Sequence, residues 1–260
     1  MEMKEISIKD LYLLKEINSV QILPGKRYLF EEKELNKKED KYNSSIYLLG
    51  DEDAKPQQFT SGLSMDKSMK LSPNKEFLAF LSERGGQTEK PQLHIMPVKG
   101  GESLKYTSLV NGVNSFKWSI DGSKIVFSHR VNIAEQEEEN KKEEDKEELS
   151  EIDAKIKKLR LDETEKKKID PRTIQKIVYR KGTAFMDDKT SHFYLLDVES
   201  KKIDRITSGV FNYTDAVLSK DSTKLYVAKQ KETGQLNDLY EFIIEEITIE
   251  TKEIKELITV

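Results

Sequence analysis

Ser64 and three histidines, His94, His129 and His192, are the side chains in this 260-residue sequence whose types suit nucleophilic or acid–base chemistry. A serine nucleophile of the G-x-S-x-G kind needs flanking glycines so that the chain turns sharply from strand to helix and exposes the hydroxyl. Ser64 lies in Gly62-Leu63-Ser64-Met65-Asp66, which lacks the second glycine and precedes a strand, so it is read as non-catalytic. His94 and His192 fall in corresponding third-strand regions of a repeated unit and His129 follows a second strand, where repeat packing accounts for all three. Asp187, Asp188 and Asp197, near His192, read as turn and rim residues. A glycine-rich phosphate loop, a His-Glu-x-x-His pair and a calcium loop are all missing from the sequence. With no cysteine, disulfides, thiol catalysis and thiolate zinc sites drop out. No catalytic, cofactor-binding or metal-ligating residue is assigned, and no cofactor is expected.

The composition narrows the partners. Forty-four basic against forty-eight acidic side chains give a net charge of −4, which argues against nucleic acid, since phosphate neutralisation needs a basic surface. No run of eighteen apolar residues is present to span a bilayer. The opening Met1-Glu2-Met3-Lys4-Glu5 lacks the basic start and apolar core of a signal peptide, so the expected compartment is the cytoplasm. At 36% the apolar fraction is low but sufficient for a core, while the 35% charged fraction is high and mostly lysine and glutamate. That enrichment fits a hyperthermophile protein and equally a lysine-rich genome.

The elements that must position these side chains come from a repeat. Four segments share one outline, a turn followed by an apolar run: Ile22–Phe30, Ser72–Phe80, Ser119–Phe127 and Ser219–Val227. Pro, Gly, Asn, Asp and Ser supply the turns, so each segment reads as a β-hairpin. A second apolar segment follows at Ile46–Leu49, Leu93–Met96, Phe193–Leu196 and Leu239–Phe242. A third ends on Thr60, Thr107, Thr207 and Thr259. Units of about 47–50 residues with four short strands are the mark of a β-propeller blade. The clearest unit has strands at Ser115–Trp118, Lys124–Phe127, His192–Leu196 and Lys202–Ile206. Trp118 and most tyrosines fall on strand positions and read as blade packing. The expected class is therefore all-β, a propeller of about four four-stranded blades. An N-terminal segment (1–21) leads into blades at 22–63, 64–110, 111–130 with 191–210, and 211–260.

Residues 131–190 interrupt the third blade. Between Glu135 and Lys168, fourteen acidic and ten basic residues stand among thirty-four. Leu149, Ile152, Ile156 and Leu159 draw an apolar stripe that predicts a helix, with Ser150 or Asp153 at its start and Pro171 ending any continuation. Glu135–Glu148 lacks apolar residues and predicts no ordered element. The segment reads as a solvated surface insertion or as a docking arm for a partner.

Three stretches in order make the chain resemble the prolyl oligopeptidase family of serine peptidases, nearest to its acylaminoacyl peptidase branch. They are Ile8–Phe30, Ser82–Glu102 with Gln92-Leu-His-Ile-Met-Pro-Val-Lys-Gly-Gly-Glu102 at its heart, and Tyr179–Val198. The chain departs from the family pattern at Leu23-Pro24-Gly25, Asn74-Lys75, Asp221-Ser222, Ala184 and Lys189. The resemblance implies an incomplete set of seven blades. It also implies an α/β-hydrolase domain as partner, absent from these residues, and a gate that admits short or N-acylated peptides. A stand-alone interaction propeller of the TolB kind is the other reading. Four blades close alone or two chains complete a ring, so a homo-oligomer is a further expectation, and no membrane partner is expected.

Overall fold

In the computed structural model the described residues are 7–38, 40–61, 64–84, 90–144, 180–181, 184–185, 187–231 and 241–259. The chain divides into two units, residues 1–131 with 190–260, and residues 132–189.

A serine and an acid or amide two residues apart build three of the strand-to-strand turns. In each, the serine hydroxyl donates to the side chain two residues on: Ser72 to Asn74, Ser119 to Asp121 and Ser219 to Asp221, all at 2.6 Å. The same hydroxyl accepts the backbone N–H five residues on, from Phe77, Lys124 and Lys224. Local side-chain bonds of this sort give the backbone a turn in place of a ladder. Fully exposed Asp221 and nearly exposed Asp121 are held down to about 2 chiefly by their serine hydroxyls.

Each of these turns joins the first two strands of a sheet, and four four-stranded antiparallel sheets form in all among the described residues of the larger unit. After a 3-10 turn at Ile8–Leu13, the first sheet is β1 (Lys15–Leu23), β2 (Arg27–Asn36), β3 (Lys41–Leu49) and β4 (Gln57–Gln58). The second is β5 (Asp66–Leu71), β6 (Phe77–Ser82), β7 (Gln92–Pro97) and β8 (Leu104–Lys105). The third starts with β9 (Ser115–Trp118) and β10 (Lys124–Val131). The smaller unit then holds helix α1 (Ile133–Glu144) and the hairpin of β11 (Arg180–Lys181) and β12 (Ala184–Phe185). The third sheet resumes with β13 (Thr190–Asp197) and β14 (Ile203–Arg205). The fourth is β15 (Tyr213–Leu218), β16 (Lys224–Gln230), β17 (Phe242–Thr248) and β18 (Ile254–Thr259).

Strand alternation gives each sheet two faces, and consecutive sheets bury them against one another. Leu29 and Ile46 of the first sheet pack on Leu78, Phe80 and Met96 of the second. Ala79, Leu81, Leu93 and Ile95 meet Phe116, Ile125, Phe127 and Tyr194 of the third. Val126, Phe193 and Leu195 meet Ala216, Leu225, Val227 and Ile247 of the fourth. Among the described residues the first and fourth sheets do not pack together, so the series is an unclosed propeller.

The recurring threonine has a physical role. Thr60, Thr107 and Thr207 each accept, on Oγ1, the backbone N–H of a third-strand residue: Ile46 at 3.1 Å, Leu93 at 2.9 Å and Phe193 at 2.9 Å. A buried N–H left unpaired costs roughly 1–3 kcal/mol, so the hydroxyl tethers the end of each short outer strand. Thr259 does otherwise: it lies within β18 and donates to Glu256.

Four expectations are corrected. β1 begins at Lys15, inside the stretch 1–21 expected only to lead into the first blade. In the fourth sheet the third strand is Phe242–Thr248, not Leu239–Phe242, of which 239 and 240 lie outside the described residues. His129 lies within β10 rather than after it, paired across the ladder with His192. Ile133–Glu144 is helical where no ordered element was predicted. A capping box explains that helix: Glu135 N–H donates to Asn132 Oδ1 at 2.9 Å, and Asn132 N–H donates to the Glu135 carboxylate at 3.0 Å. Its glutamates and lysines are good helix formers without any apolar stripe. The stripe Leu149–Leu159, with Ser150, Asp153 and Pro171, lies outside the described residues.

Candidate functional site

Around Ser64 the structure gathers a buried acid. Asp66, fully buried at the start of β5, accepts the Ser82 hydroxyl at 2.6 Å, Arg84 Nη2 at 2.5 Å and the Ser64 hydroxyl at 3.4 Å. Arg84 Nη1 reaches on to Ser103 at 2.7 Å. Ser64 also lies 3.4 Å from Ser82. The cluster ties the first strand of the second sheet to the end of its second strand, and the carboxylate is committed to the guanidinium.

The histidines occupy two kinds of place. His94 stacks on Phe80, with ring centroids 5.8 Å apart. His129 Nδ1 lies 2.6 Å from the Gly112 carbonyl. His192 Nε2 lies 2.9 Å from Thr190 Oγ1, and its Nδ1 lies 3.3 Å from Thr207 Oγ1. Counting from the threonine tether, His192 corresponds to Gln92, whose amide bonds Thr107 and the Leu109 backbone, while His94 corresponds to Tyr194. His94 and His192 are therefore two positions out of step. Asp197 closes a turn by accepting the Ser200 N–H and hydroxyl, which hold it below the usual carboxylate range. Asp188 accepts from Asn132, and Asp187 accepts the Lys189 N–H.

Burial, then the nearby Arg205 charge, push the His192 imidazole down to about 4, with a bond to the Gly209 backbone opposing and His129 adding a little. The unfolded ring titrates near 6.5. Between those values the unfolded chain takes up the proton and the folded chain does not. Stability from this group is thus full above about 6.5 and is lost as pH falls towards 4, by up to about 3 kcal/mol. Denaturation midpoints at neutral and at acid pH will show the slope. His192→Gln, the residue the second sheet uses, is expected to flatten it, and an unchanged slope in that variant would refute the assignment.

A third arrangement escaped the sequence reading. Lys70 and Lys117 stand two residues before the turn serines Ser72 and Ser119, at equivalent points of β5 and β9. Lys70 Nζ donates 2.7 Å to the Phe116 carbonyl, and Lys117 Nζ donates 3.0 Å to the Ala216 carbonyl and 2.6 Å to Asp215. Trp118 Nε1 returns a bond of 3.2 Å to the Lys70 carbonyl. Burial, then the neighbouring Lys117 charge, lower the Lys70 amine. Burial works to raise the Asp215 carboxyl, but the Lys117 bond, the Ala216 N–H and the charges of Lys117 and Lys70 together outweigh it and leave the group low. The first strands are thereby stitched side by side, with amines along their shared edge. The signal was present as a lysine two before Ser72 and two before Ser119. Among the described residues no three metal-binding side chains converge, and no helix is long and apolar enough to cross a membrane.

No established family profile matches the chain. It is 24% identical over 220 residues to the Uncharacterized peptidase YuxL of Bacillus subtilis (strain 168), a match covering 84% of this chain and 30% of that protein. Among solved structures it is similar to Pyrococcus horikoshii acylaminoacyl peptidase, with TM-score 0.64, 11% identity, and coverage of 98% of this chain and 34% of that one. Porphyromonas gingivalis dipeptidyl peptidase 4 matches with TM-score 0.53 and 10% identity over 94% of this chain and 33% of its own. The chain spans about a third of the length of each of these relatives. Four consecutive four-stranded sheets, matched almost end to end, give this chain the fold of the propeller region of prolyl oligopeptidase-family peptidases, the acylaminoacyl peptidases among them.

Proposed function

We propose that this chain is the propeller portion of an acylaminoacyl-peptidase-like serine hydrolase, where it screens which peptides reach an α/β-hydrolase domain that these 260 residues do not contain. The observation that carries the reading is the match of nearly the whole chain to one third of an acylaminoacyl peptidase. The peptidase relative matched over a similar share supports it. On this reading the sheets contribute exclusion and no bond-making group. Short or N-acylated peptides pass, while folded proteins are held out by size.

The test joins this chain to the part of the YuxL relative that it does not match and compares an acyl-dipeptide ester with a folded protein carrying an exposed N-acylated terminus. The expected result is turnover of the short ester, little cleavage of the protein, and no turnover by this chain alone. Equal cleavage of both substrates would remove the gating role. Ester turnover by this chain alone, lost on Ser64→Ala, would overturn the non-catalytic assignment.

A further inference from the structure

The third sheet repeats a clamp of the second with one chemical change. Gln92, the residue before the tethered Leu93, accepts the Thr107 hydroxyl at 2.8 Å and the Leu109 N–H at 3.0 Å, and donates to the Leu109 carbonyl at 2.8 Å. These bonds fasten the loop that carries the chain from the second sheet to the third. His192, the residue before the tethered Phe193, holds the same two points of the next loop, Thr207 Oγ1 at 3.3 Å and the Gly209 backbone. Where the second sheet uses an amide, which never carries charge, the third uses a fully buried imidazole. His129, buried opposite it on the ladder, holds the preceding loop through the Gly112 carbonyl at 2.6 Å.

The loop Thr207–Asn212 contains no titratable side chain. Its far end is tied by Asn212, whose Oδ1 accepts the Ser191 N–H at 2.9 Å and whose carbonyl accepts the Gln230 N–H at 2.8 Å. Among the described residues, the titratable and charged groups around the His192 ring are His129 on β10, Arg205 on β14 and Tyr213 on β15, whose ring centroid lies 5.7 Å away. Arg130, next along β10, is exposed. Burial and then Glu245 keep the Tyr213 phenol protonated, and Glu245 itself is paired with Lys229. The charges that act on His192, Arg205 first and then His129, are of the sign that a proton would give it.

We propose that His192 is an acid-released latch: on taking up a proton it lets go of the loop Thr207–Asn212 and loosens the last pairs of β10 and β13, while the sheets beneath stay folded. A charged imidazole is poorly accommodated where burial and a like charge both oppose it. Leaving the site costs only local contacts. His192 stands two residues inside Val131 and Thr190, the last pair of the ladder, and ladder ends open far more readily than cores. The latched ring takes its proton near pH 4 and a released ring near 6.5. The latch is therefore tightest above about 6.5 and slackens as pH falls towards 4. The Gln92 clamp has no such response, so acid should free one loop and leave its equivalent in place. Peptide screening does not depend on this latch.

Amide hydrogen exchange of this chain, followed by NMR at about pH 7.5 and about pH 5, tests the latch through protection factors, which remove the pH dependence of exchange itself. The N–H groups of Ser191, Phe193 and Gln230, all bonded to the latched loop, are expected to lose roughly 25-fold of protection at the lower pH. Those of Leu93 and Leu109, bonded within the Gln92 clamp, should change less than about twofold. His192→Gln should abolish the loss. Arg205→Gln, which keeps the histidine and removes the like charge, should reduce it. Equal losses in the two clamps, full protection at the lower pH, or a loss that persists in His192→Gln would each overturn the proposal.

Discussion

Asp66→Ala is expected to lower the unfolding free energy by about 3–5 kcal/mol, the cost of leaving a buried ion pair with one member. Asp66 is fully buried and accepts from Arg84, Ser82 and Ser64, so its loss strands a guanidinium that is itself three-quarters covered. Domains of ordinary stability hold only about 5–15 kcal/mol in reserve, so the variant should sit near the edge of folding. Asp66→Asn keeps the shape and part of the hydrogen bonding and should cost less. Removing both partners, in Asp66→Ala with Arg84→Met, should recover part of the loss, because a buried pair replaced by apolar groups is often close to neutral. Urea denaturation of the full cycle measures this. A single-variant loss under about 1 kcal/mol would show that Arg84 finds solvent without help.

Phe127→Ala is expected to cost about 3–5 kcal/mol through the cavity it leaves. The ring is completely buried, stacked on Tyr194 at 5.5 Å, and lies where the third sheet meets the second. Rigid strands on both sides limit collapse into the gap. The urea midpoint should fall with the slope unchanged, since the surface exposed on unfolding stays almost the same. Phe77→Ala is the control: that ring, at the start of β6, is 40% exposed and should cost far less. Equal losses at both sites would contradict the packing of the second sheet on the third.

The turns and inner strands were legible because their chemistry is local. Ser119 and Asp121 declare a turn whatever lies around them, and the strands predicted at Ser115–Trp118 and Lys124–Phe127 fall within β9 and β10. β1 was hidden because a bulge at Asn18 breaks the alternation of its apolar residues, Ile17, Val20 and Ile22. The helix at Ile133–Glu144 was missed because apolar spacing was the test applied, whereas Asn132 and Glu135 start it by capping. His94 was placed level with His192 by counting along the apolar runs. The threonine hydroxyl bonds to Leu93 and Phe193 set the true alignment, and such a bond has no trace in spacing alone. The lysine stitches and the Asp66–Arg84 pair depend on which sheets become neighbours, which the repeat implies only once its faces are known.

The interruption of the third sheet has a consequence for the order in which the chain folds. In the second sheet β6 and β7 are joined by a short connection and can pair as soon as both are made. β10 and β13 must instead find each other across the whole span Asn132–Lys189. Loop-closure entropy grows only with the logarithm of length, so the longer span adds roughly 1–2 kcal/mol to that pairing. The added term falls on the sheet that bridges the second and the fourth, and it must be met before either can bury its facing side chains. Assembly of the propeller therefore waits on its middle: the first two sheets can form a stable pair early, while the fourth stays a solvent-exposed hairpin array until β13 returns.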